Sequence, residues 1–217
     1  IYKEAKLRQL WARRPDSKWL PPLFERLYPY IFKNPARGRT ILQRFFAVTP
    51  EELNDPFFSH QVRWRTSGKN NLFFSGDLQQ QLNGFDPLDA LRHRLPEGFA
   101  GYDPFSKAQF LEMDVFLSNY LLSSQGDRVA MSHSIELRLP FLDFRVIEFA
   151  AKLPAQWKLK GLNEKYILKE AFKDLVPENI RNRVKQPYRA PIREAFRTDD
   201  PGSYVQQMLA PETIDAY

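Results

Sequence analysis

Apolar side chains recur every three or four positions along most of this chain, which is the spacing of an amphipathic helix. Residues 104–123 give the clearest example, because Phe110, Met113 and Leu117 form one stripe and further apolar residues widen it. We expect that helix to be buried on several sides. Together the predicted helices cover residues 1–14, 21–33, 40–48, 88–95, 104–123, 144–153, 163–175 and 177–183.

The helical pattern weakens over residues 49–101. Alternation of apolar and polar positions is poor there, and turn-forming pairs such as Asp55-Pro56 interrupt it. We predict short strands at residues 61–67 and 71–74, set in long loops. The chain as a whole is therefore predicted to be mainly α, with one irregular segment.

Residues 125–153, which read QGDRVAMSHSIELRLPFLDFRVIEFAAKL, place charges beside strongly apolar positions. A buried ion without a partner is costly, so we expect these charges to be paired. Phe141 is expected to be shielded from water, and Asp143 is well placed to cap the helix that follows it. Residues 123–126 are predicted to end the preceding helix.

Two lysines are notable for their positions. Lys165 falls in the first turn of a helix that Asn163 is predicted to cap, where the helix dipole disfavours a cation. Lys185 lies beside Pro187 in a predicted loop, where side chains can reach a ligand. The basic residues around Lys185 fit either a solvated face or an anion site.

Composition excludes several classes of site. The chain has no cysteine, which rules out a disulfide framework and a thiolate zinc site and is typical of a reducing cytoplasm. Its three histidines are scattered, so we assign no metal ligand. The net charge of +6 favours anionic partners. No apolar run is long enough to span a membrane, so we expect a cytoplasmic protein without a membrane partner.

The sequence also lacks the common catalytic and phosphate-binding motifs. It contains no G-x-x-x-x-G-K-[ST] loop, no G-x-G-x-x-G and no G-x-S-x-G nucleophile elbow. The residues alone therefore indicate cations that can neutralise an anion and acids that can orient them, but no nucleophile.

Residues 127–143 resemble the signature D-R-M-S-M-A-H-S-x-E-x-R-x-P-F-L-D of the synthetase domain of glutamine-hydrolysing asparagine synthases. The resemblance implies an ATP-dependent amide ligase that uses ATP and Mg²⁺ to convert aspartate to β-aspartyl-AMP, which ammonia from glutamine then turns into asparagine. It also implies an α/β adenine-nucleotide hydrolase-like (ATP-pyrophosphatase) domain, of which residues 1–217 would be the mainly helical C-terminal part. The family's glutaminase domain and S-G-G-x-D-S pyrophosphate loop are not in the sequence, so a fragment inactive by itself is expected.

The resemblance also assigns roles to individual residues. The strings EKYILK and RVKQPY match two family segments whose lysines contact the phosphates, which implies that Lys165 and Lys185 are catalytic and bind ATP. Asp127 is placed like an acidic residue near the family's amino-acid substrate. Pro187 departs from the glycine or glutamate usual there, which puts the path of the lysine loop in doubt. The resemblance further suggests an ion-pair lattice among Glu136, Arg138 and Asp143.

Two other interpretations stay open. A paralogous amide-forming ligase, such as a β-lactam synthetase, would keep both lysines and change the pocket for the amide acceptor. A non-catalytic helical module would use its basic face on nucleic acid, although no nucleic-acid motif is present and the basic residues are spread over many elements. The sequence leaves open the acceptor, the nitrogen donor and the oligomeric state, a homodimer included.

Overall fold

Helices account for most of the residues whose structure is described. The computed structural model describes residues 1–27, 44–183, 194, 196 and 202–215. The chain divides into two compact units, Ile1–Glu170 and Ala171–Tyr217. The α-helices are α1 (Tyr2–Arg13), α2 (Leu20–Leu27), α3 (Gln61–Gly68), α4 (Gly76–Leu82), α5 (Pro87–Arg94), α6 (Pro104–Leu111), α7 (Arg128–Ser132), α8 (Phe144–Lys152), α9 (Ala155–Lys158), α10 (Tyr166–Ala171), α11 (Glu178–Arg181), α12 (Tyr204–Met208) and α13 (Pro211–Ile214).

Shorter elements connect these helices. In the described part of the chain, four 3-10 helices lie at Glu51–Asn54, Lys69–Phe73, Phe99–Gly101 and Pro140–Leu142. Strands β1 (Leu159–Lys160) and β2 (Asn163–Glu164) form an antiparallel hairpin, which makes the described part of the chain mainly α, as predicted.

The helix predicted at residues 1–14 is confirmed as α1, which packs against α2. Leu7 from α1 and Phe24 from α2 are buried in one cluster, and Phe46 stacks on Phe24 with ring centroids 5.3 Å apart. Residues 28–43 lie outside the described residues, so only residues 44–48 of the third predicted helix can be compared. Residues 44–46 are helical, whereas residues 47 and 48 are not.

The strands predicted at residues 61–67 and 71–74 are wrong. The first segment is α3, and the second falls mostly in a 3-10 helix. Trp64 supplies the physical reason, because it packs from α3 against a second buried cluster that contains Phe57 and Leu111. This long-range contact outweighs a local pattern that was too weak to favour either structure.

The long helix predicted at residues 104–123 is confirmed as helical, but its course differs from expectation. After α6 it continues as a π-helix, Glu112–Asp127, so no break occurs at residues 123–126. Leu111 is fully buried, yet Met113, Phe116 and Tyr120 are exposed, so the expected burial on several sides is wrong for this helix.

The π-helix gains support from polar side chains that bond to its own carbonyls. Ser118 Oγ donates to the carbonyl of Asp114 at 2.7 Å, and Ser123 Oγ donates to that of Asn119 at 2.5 Å. Asp114 itself meets a partner, because Arg94 Nη2 lies 3.3 Å from both of its carboxylate oxygens.

Candidate functional site

Lys165 lies in the turn between β2 and α10, and its side chain is exposed. The prediction that Asn163 caps the helix is wrong, because Asn163 pairs with Lys160 in the hairpin and α10 begins only at Tyr166. Lys165 therefore precedes the first turn, and its carbonyl accepts a bond from the backbone N–H of Lys169 at 3.1 Å.

The backbone of Lys165 is left-handed, with φ 56°. A residue that carries a Cβ atom loses about 1 to 2 kcal/mol in this conformation, because Cβ approaches the following carbonyl oxygen. Such strain persists only where surrounding contacts hold the backbone, and it is common at functional sites. The turn of Lys165 is therefore a candidate site on backbone grounds as well as by resemblance.

Side chains on the hairpin and on α10 meet across this turn. Asn163 Oδ1 accepts a hydrogen bond from Lys169 Nζ at 2.6 Å. Glu164, which immediately precedes Lys165, forms an ion pair with Lys3 of α1 at 3.0 Å. The strand side of the turn is thus tied both to the following helix and to the first helix of the unit.

Tyr166 anchors the helical side of the turn. Its hydroxyl accepts a hydrogen bond from Lys160 Nζ at 2.8 Å, and the same ammonium lies 4.4 Å from the centre of the tyrosine ring. Trp157 stacks on that ring with the centroids 6.0 Å apart. The hydrogen bond to Tyr166 raises the pKa of Lys160 above its ordinary value.

Lys165 differs from both of its lysine neighbours. No residue within the described ranges forms an ion pair or a side-chain hydrogen bond with its ammonium group. The ammonium groups of Lys160 and Lys169 donate hydrogen bonds to Tyr166 and Asn163, respectively. Lys165 instead has a restrained backbone and an ammonium group without a partner among the described residues. That combination suits a cation that contacts an anionic ligand.

The other two predicted site residues are not brought to this turn by any described contact. Lys185 falls among residues 184–193, outside the described part of the chain. Asp127 ends the π-helix, its side chain is exposed, and it pairs with no residue that the structure describes.

The ion-pair lattice predicted among Glu136, Arg138 and Asp143 is replaced by two local pairs. Arg138 bonds to Glu136 at 2.6 Å, and Arg145 bonds to Asp143 at 2.7 Å, each with a partner two positions away. Both pairs are largely exposed, so they contribute little to stability. Asp143 does cap α8 as predicted, since its Oδ1 accepts from the backbone N–H of Arg145 at 2.9 Å, and bonds from Arg145 lower its pKa.

The segment that contains these pairs exposes many large apolar side chains. Phe141, expected to be shielded, is 71% exposed. The exposed apolar run, as we call it, consists of Val129, Met131, Ile135, Leu137, Leu139, Phe141, Phe144, Val146 and Phe149. Single exposed apolar residues are ordinary, but concentrations of this kind mark surfaces that bind another protein surface.

A buried polar network was not predicted from the sequence. His60 is buried, with Nε2 3.0 Å from Glu112 Oε1 and Nδ1 2.8 Å from Ser59 Oγ. Burial alone would raise the pKa of Glu112, but the hydrogen bond and charge of His60 leave that pKa below its ordinary value. No short spacing links His60 to Glu112, so no sequence signal identified the pair.

A second part of this network joins α1 to α3. Arg63 pairs with Glu4, which is buried, and Arg8 Nη1 donates to the carbonyl of Phe58 at 2.7 Å. These charges hold helices together. Across the described ranges, no group of three or more histidine or acidic residues is arranged to hold a metal ion.

A cleft of about 710 Å³ lies between α3, α5 and the π-helix. Trp64, Leu88 and Leu91 form its apolar lining, and Arg65 and Arg94 lie at its edge. Neither Asp127 nor Lys165 lines this cleft, so it is separate from the candidate site at the lysine turn.

Comparison with known proteins decides the family. The family model described as asparagine synthase matches residues 2–217. The chain belongs to the asparagine synthase family. The resemblance inferred from residues 127–143 is therefore confirmed. No solved structure matches the chain.

Several curated relatives match over most of this chain. Asparagine synthetase [glutamine-hydrolyzing] 1 of Bacillus subtilis is 28% identical over 184 residues, which cover 83% of this chain and 27% of the relative. A putative asparagine synthetase of Mycobacterium tuberculosis is 31% identical over 187 residues, covering 82% and 28%. Amidase chry2 of Gibberella zeae is 32% identical over 195 residues, covering 82% and 28%. The chain thus spans little more than a quarter of the length of these relatives.

Among the described residues, no helix is both long enough and apolar enough to cross a lipid bilayer.

Proposed function

We propose that this chain is the mainly helical C-terminal part of the synthetase domain of a cytoplasmic, glutamine-dependent asparagine synthase. The observation that carries the proposal is the family match over residues 2–217, together with relatives named asparagine synthetase. In the proposed reaction the β-carboxylate of aspartate attacks the α-phosphorus of ATP, giving β-aspartyl-AMP and pyrophosphate. Ammonia from glutamine then attacks the β-carbonyl carbon, and AMP leaves as asparagine forms.

The remaining machinery would come from outside this chain. In this proposal another part of the same polypeptide supplies the glutaminase domain, the pyrophosphate loop and a parallel sheet of the α/β adenine-nucleotide hydrolase-like type. The exposed apolar run supports such an arrangement, because apolar side chains at this density are stable in water only when another surface covers them.

Lys165 and Lys185 would act on the phosphates of ATP. Lys165 fits this role because its ammonium is exposed and unpaired with any described residue, while its backbone is held in place. Negative charge develops on pyrophosphate as it leaves. A cation held in place facing that charge stabilises the transition state by about 3 kcal/mol. The Mg²⁺ that screens the phosphates would be held by ATP itself and by residues outside this chain, since the described residues form no acidic cluster. Asp127 would orient the amino group of aspartate.

The test is ATP–pyrophosphate exchange, measured on the full gene product with aspartate as the acceptor. Lys165→Ala and Lys185→Ala should each lower exchange by about 100-fold, because each removes one cation aimed at the leaving group. Lys69→Ala is the matched control, since Lys69 is also exposed and forms no ion pair with a described residue. Unchanged exchange in both site variants would contradict the proposal, as would an equal loss in the control.

A second candidate is a paralogous amide-forming enzyme with another acceptor. Amidase chry2 of Gibberella zeae favours it, as does amidase chyE of Penicillium rubens, which is 31% identical over 56% of this chain. Exchange that depends on Lys165 and Lys185 but responds to another carboxylate rather than to aspartate would select this candidate. Binding to nucleic acid with a steep salt dependence and no effect of Lys185→Ala would instead select the non-catalytic module.

A further inference from the structure

The strained backbone of Lys165 needs a source of restraint. Lys165 is one of three non-glycine residues with positive φ among the described residues, and it is the one whose side chain is a long cation. Gly161, in the hairpin turn four positions earlier, also has a positive φ, of 61°. A lysine gains no local hydrogen bond from a left-handed backbone, unlike asparagine, so the restraint must come from its neighbours.

The Asn163–Lys169 hydrogen bond spans this turn directly. It joins a residue two positions before Lys165 to a residue four positions after it, at 2.6 Å between Oδ1 and Nζ. Because Lys169 also donates its backbone N–H to the carbonyl of Lys165, the same residue contacts both sides of the turn. An ammonium donor makes this bond stronger than one between neutral groups.

We propose that Asn163 and Lys169 are positioning residues, which hold the left-handed turn so that the Lys165 ammonium points at the phosphates of the nucleotide. This inference rests on the proposed function of Lys165. Neither Asn163 nor Lys169 contacts the nucleotide in this proposal. Their hydrogen bond acts by limiting where the Lys165 ammonium can lie when the transition state forms.

The experiment is steady-state ATP–pyrophosphate exchange on the full gene product, with ATP and aspartate varied separately. Asn163→Ala and Lys169→Met should each lower kcat by about 10-fold to 100-fold, the effect of small misplacement of a catalytic group. The double variant should be no worse than either single variant, because both remove one hydrogen bond. KM for aspartate should stay unchanged, since the acceptor does not contact this turn.

Conservative and control variants separate positioning from general damage. Asn163→Asp keeps an acceptor oxygen for Lys169 and should retain near wild-type kcat. Asn71→Ala and Lys69→Met remove the same side-chain types from the exposed 3-10 helix Lys69–Phe73 and should have no effect. If circular dichroism shows that Asn163→Ala fails to fold, Asn163→Ser replaces it, because the shorter hydroxyl cannot reach Lys169.

The outcomes distinguish this inference from the function on which it rests. Loss of exchange in Lys165→Ala combined with wild-type kcat in Asn163→Ala overturns the positioning role and leaves the lysine role intact. Wild-type exchange in Lys165→Ala overturns the lysine role itself. Equal losses in Asn163→Ala and Asn163→Asp overturn the hydrogen bond as the cause. Loss in Asn163→Ala with rescue in Asn163→Asp supports the inference.

Discussion

Replacing Lys165 by glycine should stabilise the chain relative to replacement by alanine. At φ 56° alanine keeps the left-handed strain, whereas glycine has no Cβ and removes it. Relief of this strain stabilises the folded state by about 1 to 2 kcal/mol. Glycine also gives the unfolded chain more conformational freedom, which lowers the free energy of unfolding by about 0.4 to 1 kcal/mol. The net expectation is that Lys165→Gly is more stable than Lys165→Ala by roughly 0.5 to 1 kcal/mol.

The assay is equilibrium unfolding in urea, followed by tryptophan fluorescence. All four tryptophans, Trp11, Trp19, Trp64 and Trp157, lie in the unit that contains Lys165. Lys6→Gly and Lys6→Ala serve as a matched pair, because Lys6 is exposed and lies in the interior of α1, a right-handed helix, where glycine should be the less stable variant. The reasoning about strain is refuted if glycine is no more stable than alanine at position 165 while alanine is the more stable variant at position 6.

The remaining predictions concern the core, the buried pair and a helix cap. Phe57→Ala should lower the free energy of unfolding by about 3 to 5 kcal/mol, because Phe57 is 0% exposed and its loss opens a cavity. Glu112→Gln should cost about 1 kcal/mol near neutral pH, because the bond from His60 then has a neutral acceptor. The pKa of Glu112 is lower in the folded state than its ordinary value of 4.5. The difference in free energy of unfolding between the wild type and Glu112→Gln should therefore be fully present above pH 4.5 and should be lost as the pH falls through the folded pKa. Asp103→Ala should cost about 1 kcal/mol, because Asp103 caps α6 by accepting from two backbone N–H groups.

Each of these three predictions has its own control, read from urea midpoints. Leu72→Ala, at an exposed position, should change the free energy of unfolding by less than about 0.5 kcal/mol. If Phe57→Ala changes it by no more than Leu72→Ala does, burial of Phe57 is contradicted as the cause. If the free energies of unfolding of the wild type and Glu112→Gln differ by the same amount at pH 3 and pH 7, the depressed pKa of Glu112 is contradicted. Asp103→Asn keeps a capping oxygen, so it should be more stable than Asp103→Ala.

The sequence was sufficient for the features that depend on neighbouring residues. Helical spacing predicted α1 and the helix that starts at Pro104, and side-chain chemistry predicted the cap at Asp143, because periodicity and capping act over a few positions. The string of residues 127–143 was enough to identify the family, since many residue types in fixed order rarely coincide by chance.

Tertiary structure decided what depends on distant residues. Trp64 favours a helix at residues 61–68 by packing on a buried cluster that includes Phe99 and Leu111, and His60 contacts Glu112, which lies 52 positions away. No local sequence pattern encodes either contact. The turn at Lys165 is instead decided locally, by a hairpin of six residues. Its sequence favours a helical first turn, but pairing of Asn163 with Lys160 in the hairpin moves the helix start to Tyr166. Local propensities differ by fractions of a kcal/mol per residue, so a few long-range contacts are enough to override them.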